Sequence, residues 1–262
     1  FITLNIDTIF HAAAYKHVPV LERNIIEGIK NNVYGTKLLI DFSIKYNIKK
    51  FVLISSDKAV RPTNYMGATK RVAEILCLLG NQVQNKTKFC IVRFGNVLGS
   101  SGSVVPLFNS QILKGGPVTV TDRRIERYFM TIKEATELVI QASAMSSKVV
   151  EIFILDMGKR IKILELAKQM IKLSGLVPII DANDNYKPKP NELLIKFTGL
   201  RPGEKLVEEL FHNTKVLNTK HPRIMKTSDN LLLNNILNKN ITQLIKSCDE
   251  NNLKKISRIL FK

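Results

Sequence analysis

The run Ser55-Ser56-Asp57-Lys58, followed closely by Met66-Gly67-Ala68-Thr69-Lys70, puts hydroxyls, a carboxylate and two amines around one short segment. These groups can move protons: a carboxylate and an amine exchange one, a hydroxyl orients it, and a second amine sets the local charge. Such spacing fits proton transfer beside a bound cofactor. The thioether of Met66 can neither donate nor accept a proton, so the chemistry rests on Ser56, Asp57 and Lys58, with Lys70 behind them. Asp57-Lys58 alone is also what an ordinary surface ion pair looks like. Its place directly after the β-rich apolar run Lys50 to Ser55 favours function, because ligands of open α/β sheets gather at the carboxyl ends of the strands.

The elements that must position these residues follow from periodicity. Ile6 to Ala12 predicts a short buried strand, and Glu27 to Tyr46 a helix with Ile29, Val33, Leu38, Leu39 and Phe42 on its apolar side. Lys50 to Ser55 predicts a second strand, Thr69 to Leu79 a second helix and Lys88 to Phe94 a third strand. Buried strands alternating with amphipathic helices predict βαβ units and an α/β fold, a partial doubly wound, Rossmann-like parallel sheet. Past Asn96 the texture changes. Gly99 to Ser103 is a hydroxyl-rich loop, and Lys114 to Pro117 a turn before the strand Val118 to Val120. Thr131 to Met145 and Ile163 to Leu173 predict helices and Glu151 to Leu155 a strand. Asp181 to Asn191 predicts a loop or lid, and Asn230 to Lys262 a mostly helical tail.

With 262 residues and 45% hydrophobic content, the chain can bury one sizeable core or a domain with an appendage. No stretch approaches the ~20 apolar residues of a membrane span, and no signal segment opens the sequence, so a soluble, cytoplasmic location is expected. Cys77, Cys90 and Cys248 are odd in number and lack metal-ligand spacing, which fits free thiols in a reducing compartment and no metal site. The net charge of +18 is spread along the whole chain without a nucleic-acid motif. It therefore excludes nucleic acid as a dedicated partner and suits attraction of an anionic nucleotide-linked substrate or an anionic membrane surface.

A doubly wound dinucleotide domain opens with a strand, a glycine-rich turn and a helix that together hold the pyrophosphate. Here the first glycine is Gly28, already within a helical pattern, and the sequence starts as if in mid-sheet. Six segments occur in an ordered series: His11-Ala-Ala-Ala-Tyr-Lys-His-Val-Pro19, Asn31-Asn-Val-Tyr-Gly-Thr36, Ser55 to Lys58, Met66 to Lys70, Arg93-Phe-Gly-Asn-Val-Leu-Gly-Ser-Ser-Gly102 and Gly199-Leu-Arg-Pro-Gly-Glu-Lys205. Together, over roughly residues 6 to 211, they resemble the CapD-like polysaccharide-biosynthesis epimerase/dehydratases of the extended short-chain dehydrogenase/reductase superfamily. The nearest subgroup resembles the UDP-N-acetylglucosamine 4,6-dehydratases. That superfamily places a catalytic tyrosine four positions before its lysine, where this chain has Met66. Methionine there resembles the mark of the long, membrane-tethered members.

The resemblance implies a lyase using NAD or NADP on a UDP-sugar. C4 of the sugar is oxidised, a base removes the C5 proton, an acid helps the 6-hydroxyl leave as water, and C6 is reduced to give a 4-keto-6-deoxy product. It implies Lys58 as the C5 base, Asp57 as the acid, Ser56 as the hydroxyl near O4, and Lys70 as the ligand of the nicotinamide ribose. A 4-epimerase outcome and a binding or assembly module are the alternatives. His11, Ala12, Ala13 and Ala14 fall where the family's cofactor approaches the backbone; Lys16, Asn96, Ser100, Ser101, Arg201 and Glu204 fall at nucleotide-sugar contacts, with Arg93 and Arg127 weaker candidates. Asn32 is expected to tie a helix to a neighbouring strand. A lysine near a second ammonium becomes a better base, whereas Asp57 beside two lysines acts as an acid only if buried. Residues 1–160 are then the later part of an NAD(P)-binding domain, with elements of a smaller C-terminal substrate lobe interleaved from about 97, and 161–262 are that lobe and a helical tail. A longer parent is expected, with a cofactor-binding half before Phe1 or separately encoded, attached to the cytoplasmic face of the inner membrane, and forming a homo-oligomer.

Overall fold

A computed structural model of the chain describes residues 4–84, 86–147, 149–180, 188–211, 216–227 and 235–261. In chain order it begins with β1 (Thr8–His11), α1 (Val18–Leu21), α2 (Ile25–Ile29), a π-helical turn (Lys30–Tyr34), α3 (Gly35–Lys45), β2 (Lys50–Ile54), a 3-10 turn (Asp57–Ala59), α4 (Tyr65–Gln82) and β3 (Lys88–Arg93). There follow β4 (Asn96–Val97), α5 (Val104–Leu113), β5 (Val118–Val120), β6 (Glu126–Arg127), β7 (Phe129–Met130), α6 (Ile132–Ala144) and β8 (Glu151–Leu155). The last are β9 (Ile161–Lys162), α7 (Ile163–Leu173), β10 (Val177–Ile180), β11 (Glu192–Phe197), β12 (Val216–Asn218), β13 (Ile224–Thr227), α8 (Asn235–Asp249) and α9 (Leu253–Leu260).

Contacts divide the chain into two units: Phe1–Phe94, Thr136–Asp156 and Glu209–Lys262 form one, and Gly95–Ala135 and Met157–Glu208 the other. The first holds a six-stranded sheet in the order β1-β2-β3-β8-β13-β12. β1, β2, β3 and β8 run parallel, in register Phe10↔Val52, Val52↔Cys90 and Val92↔Phe153. The α/β class with a parallel-dominated sheet agrees with the sequence reading. β2 is apolar at successive positions rather than alternate ones, because Phe51, Val52 and Leu53 are all buried and both faces of the strand are covered.

Two features depart from the sequence reading. The helix expected over Glu27 to Tyr46 is interrupted by the π-helical turn, which buries Asn32 beside Val33 where a regular helix would continue its apolar stripe. The cut expected near residue 160 is not where the contacts divide the chain. β13 pairs antiparallel with β8, and Ile241, Leu244, Cys248 and Ile256 of the tail join the core of Phe51, Leu53, Leu76, Phe89 and Ile152. The tail is helical as expected over α8 and α9, and residues 230–234 lie outside the described ones.

α4 is fixed to β3 by a charge network inside this unit. Arg93 donates through Nε to Glu74 Oε1 at 2.7 Å and through a terminal nitrogen to Oε2 at 2.6 Å, and both side chains are fully buried. Ser55 Oγ donates to Glu74 Oε1 at 2.6 Å and Arg71 to Oε2 at 2.9 Å. Burial alone would raise the carboxyl, but Arg93, Arg71 and Ser55 together hold it below the ordinary glutamate value. Arg93, a weak substrate-contact candidate by sequence, is thus a core residue.

In the second unit, α5 and α7 pack on a parallel sheet in the order β10-β11-β5 through Phe108, Val118, Val120, Ile125, Ala167, Ile171 and Ile195. β11 begins immediately after the segment expected to be a loop or lid, of which residues 181–187 lie outside the described ones. No helix among the described residues is long and apolar enough to cross a membrane. Arg93→Met leaves Glu74 buried with its bidentate partner gone. It is expected to cost about 3–5 kcal/mol in denaturant unfolding. The double variant Glu74→Leu/Arg93→Met is expected to cost less.

Candidate active site

The carboxyl ends of β1 and β2 bring together the residues singled out by chemistry. The β2–β3 pairing continues past the strand through Ser55 N to Val92 O at 2.8 Å and Asp57 N to Phe94 O at 3.1 Å, which holds the segment after β2 in place. Ser56 Oγ donates to Asp57 Oδ1 at 2.8 Å and accepts from Lys58 N at 3.2 Å. Lys58 Nζ reaches the same Oδ1 at 3.1 Å. Asp57 is 1% exposed. Its two oxygens differ: Oδ1 takes two donors, while Oδ2 is buried with no hydrogen-bond partner among the described residues. A buried acceptor without a donor is costly, and a ligand hydroxyl would relieve it. Ser55, by contrast, turns into the core toward Glu74.

Lys70, on the first turns of α4, donates from Nζ to Ile54 O at 2.6 Å. Burial lowers its pKa to about 8, with Glu74 and Cys77 pulling the other way. His11 ends β1, buried against Phe51, with Nε2 at 2.8 Å from Thr36 Oγ1. The single hydroxyl proton of Thr36 goes to Asn32 O at 2.7 Å, so Nε2 must be the donor to Thr36. Burial, then Lys70, push the His11 pKa down to about 4, and the ring is neutral at pH 7. Ala12 and Ala13 follow exposed, with only methyl groups between a ligand and the backbone. Asn32 joins the parts together, tying the π-helical turn to the loop after β1 and to α4 rather than to a strand. Its Oδ1 accepts from Tyr15 N at 2.7 Å, and its Nδ2 donates to Tyr15 O at 2.9 Å and Thr69 Oγ1 at 3.0 Å. Lys16 is exposed in the loop beyond.

Met66 is buried in the first turn of α4, where its backbone oxygen accepts from Thr69 Oγ1 at 2.8 Å. The following glycine is required by contact. A Cβ on Gly67 would lie 2.2 Å from Lys58 O, so only glycine lets α4 press against the Asp57–Lys58 segment. Gly67, Thr36, Thr69 and Glu74 were missed by sequence reasoning. The one available signal was Glu74 standing a helical turn after Lys70.

In the second unit, Asn96 opens β4, with its backbone N donating to Tyr128 O at 3.2 Å. Ser100 Oγ donates to Val97 O at 3.0 Å, and Ser101 is exposed at the loop tip. Ser103 Oγ, at the N-cap of α5, is buried with no partner among the described residues. The Arg201–Glu204 turn is built from within. Glu204 accepts from Arg201 N at 3.1 Å and Thr121 Oγ1 at 3.2 Å, while the Arg201 side chain is exposed. Arg127, expected to be a weak ligand contact, is buried and clamps this turn by donating to Leu206 O at 3.0 Å and Lys205 O at 2.9 Å.

Comparison with known proteins fits this geometry. The family described as "Polysaccharide biosynthesis protein" matches residues 1–229. The chain belongs to that family. Capsular polysaccharide biosynthesis protein CapD of Staphylococcus aureus is 47% identical over 239 residues, covering 88% of this chain and 38% of CapD. A UDP-N-acetylglucosamine 4,6-dehydratase (inverting) of Campylobacter jejuni is 39% identical over 139 residues, 52% of this chain and 42% of that protein. A UDP-glucose 4-epimerase of Rickettsia canadensis is 40% identical over 139 residues, 52% of this chain and 41% of that protein. The crystal structure of Pen from Bacillus thuringiensis superposes with a TM-score of 0.76 at 38% identity, covering 87% of this chain and 67% of Pen. The chain thus spans less than half the length of these three sequence relatives.

Two outcomes test the site. Gly67→Ala is expected to displace Lys58 and lower both stability and ligand binding, read by thermal unfolding and by titration with a UDP-sugar. His11 binds a proton in the unfolded chain near pH 6.5 but in the folded one only near pH 4, so stability falls as pH drops through that interval. Glu74 loses its contribution in the same direction, but only below its unfolded value of 4.5. The slope of melting temperature against pH between about 6.5 and 4.5 is therefore expected to flatten in His11→Gln, which keeps a neutral donor.

Proposed function

We propose that this chain carries the proton-transfer residues of an NAD(P)-dependent nucleotide-sugar 4,6-dehydratase. Its substrate is a UDP-N-acetylhexosamine, UDP-N-acetylglucosamine first, in surface polysaccharide or glycan synthesis at the cytoplasmic side of the cell. The observation that carries the reading is the Ser56-Asp57-Lys58 constellation, hydrogen-bonded around Asp57 Oδ1 and leaving Oδ2 buried and unpartnered. Met66, at the position of the superfamily's tyrosine, leaves proton transfer to that constellation.

When bound, the nicotinamide supplies reversible storage of a hydride. The remaining work falls to this chain. His11 and the alanines Ala12 to Ala14 offer an open strand end, and Lys70 presents its amine to the ribose. Lys58 Nζ takes the C5 proton, made acidic by a C4 ketone. Asp57 Oδ2 gives a proton to the 6-hydroxyl, whose carbon–oxygen bond breaks to release water. Lys58 would return its proton to C5 as C6 is reduced, and the O4 proton, passed through Ser56 Oγ to Asp57 Oδ1 at 2.8 Å as C4 becomes a ketone, would replace the one that Asp57 gives up. Ser56 Oγ, already oriented on Asp57, reaches O4. Lys16, Asn96, Ser100, Ser101, Arg201 and Glu204 are assigned to the nucleotide and sugar, and so is Ser103 Oγ, buried without a partner among the described residues. On this reading the first unit is the cofactor domain, the second the substrate lobe, and the active assembly a homo-oligomer.

The likeness to the Rickettsia epimerase keeps a second reading open, in which C4 is inverted and no water is lost. Mass spectrometry and proton NMR of UDP-N-acetylglucosamine incubated with the protein and NAD or NADP separate them. Loss of water with a 4-keto product is expected; an unchanged mass with an inverted C4 means epimerase. Lys58→Ala and Asp57→Asn are each expected to lower turnover by about 10²–10⁴-fold. Undiminished solvent exchange at C5 in Lys58→Ala would sink the role given to Lys58.

A further inference from the structure

The C-terminal tail matches no motif of the site, yet it joins the core of the first unit and reaches the start of α4. α8 and α9 pair, and their apolar residues Ile241, Leu244, Cys248 and Ile256 are buried with Ile29, Val33 and Leu76. At the end of α9, Phe261 meets Tyr65 edge to face, ring centroids 5.1 Å apart and planes at 71°. Tyr65 is the first residue of α4. The same turn is held from a second direction by Glu22, whose Oε1 accepts from Tyr65 N at 2.8 Å, and from within by the N-cap Asn64, whose Oδ1 accepts from Gly67 N at 2.8 Å. The Glu22 carboxylate and the Asn64 amide oxygen both occupy the donor-rich end of the helix, where they stabilise it.

This turn transmits position directly. Gly67 abuts Lys58 O so closely that no side-chain atom fits between them. A shift of this turn that carries Gly67 toward Lys58 O therefore moves the backbone that carries Asp57 and Lys58. Tyr65 also offers a phenol one residue before Met66, but its ring is committed to Phe261 and the core.

We propose that the α8–α9 tail is a positioning element for the catalytic segment, acting through Phe261 on Tyr65 and through the first turn of α4 on Lys58. Phe261 is a positioning residue that touches no reacting atom. Its effect on rate rests on the dehydratase reading; its effect on the α4 turn does not. An edge-to-face ring pair contributes enough to shift a local equilibrium by roughly two- to tenfold.

The test compares Phe261→Ala, Phe261→Leu and Phe261→Tyr by amide hydrogen exchange and by steady-state kinetics with UDP-N-acetylglucosamine. The Ala and Leu variants are expected to exchange faster at residues 65–70 than the parent, with β2 and β3 unchanged. kcat is expected to fall roughly two- to tenfold at constant KM, and the Tyr variant to restore both. Should the Ala variant fail to fold, Leu keeps the apolar volume and still removes the ring. Unchanged exchange at 65–70 in the Leu variant overturns the proposal, as does loosening spread evenly over the whole unit, or an unchanged kcat with the turn loosened. Local loosening in a protein whose parent forms no product upholds the positioning role and rejects the dehydratase reading instead.

Discussion

The fully buried pair of Glu74 and Arg93 is the constraint on which the first unit depends. Removing two charges from water is unfavourable, and the cost is offset only when geometry and extra hydrogen bonds are both good. Here the guanidinium forks onto both carboxylate oxygens, and Ser55 and Arg71 complete the shell. The network ties α4 to β3 and to Ser55, directly after β2, at once. Lys70 and Ser56 stand on either side of that junction, so the pair that fixes helix to sheet also fixes the amine to the hydroxyl-acid segment. A well-packed apolar pair could join α4 to β3, but it would not orient Ser55 or stabilise charge beside Lys70.

A second, uncharged network works at the same strand ends. His11, Thr36, Asn32, Thr69 and the Met66 carbonyl form a continuous series of hydrogen bonds across β1, the π-helical turn and α4. Asn32 spends its amide on the Tyr15 backbone and on Thr69, which is what the π-helical turn achieves by carrying it inward. Met66, lacking a polar tip, fills core volume at the edge of this series. In the neighbouring turn Asp57 presents one oxygen with two donors and one without a partner among the described residues.

In the second unit the same kind of residue serves different ends. Arg127 and Glu204 both fall at nucleotide-sugar contacts by resemblance, yet Arg127 is consumed in holding a turn, donating to Lys205 O and sharing Leu206 O with Glu126 N. Glu204 braces that turn through Arg201 N and Thr121, while Arg201 keeps its guanidinium in solvent. Burial decides between the two uses, and burial is a tertiary quantity.

The sequence by itself determined the α/β class, since buried strands and amphipathic helices leave periodicities that local pattern carries. It also determined Ser56, Asp57, Lys58 and Lys70 as a group, because their spacing around one strand end is local. Family membership was legible for the same reason, as ordered short motifs. Only the tertiary structure decided that Arg93 is a core residue, that Gly67 is required by a carbonyl brought from the preceding turn, and that the tail belongs with the sheet rather than with the second unit. Each of these depends on a partner distant in sequence: Glu74 for Arg93, Lys58 for Gly67, β8 and Tyr65 for the tail. The choice among such partners is made by close packing and by satisfaction of buried polar groups, neither of which leaves a periodic trace in the chain.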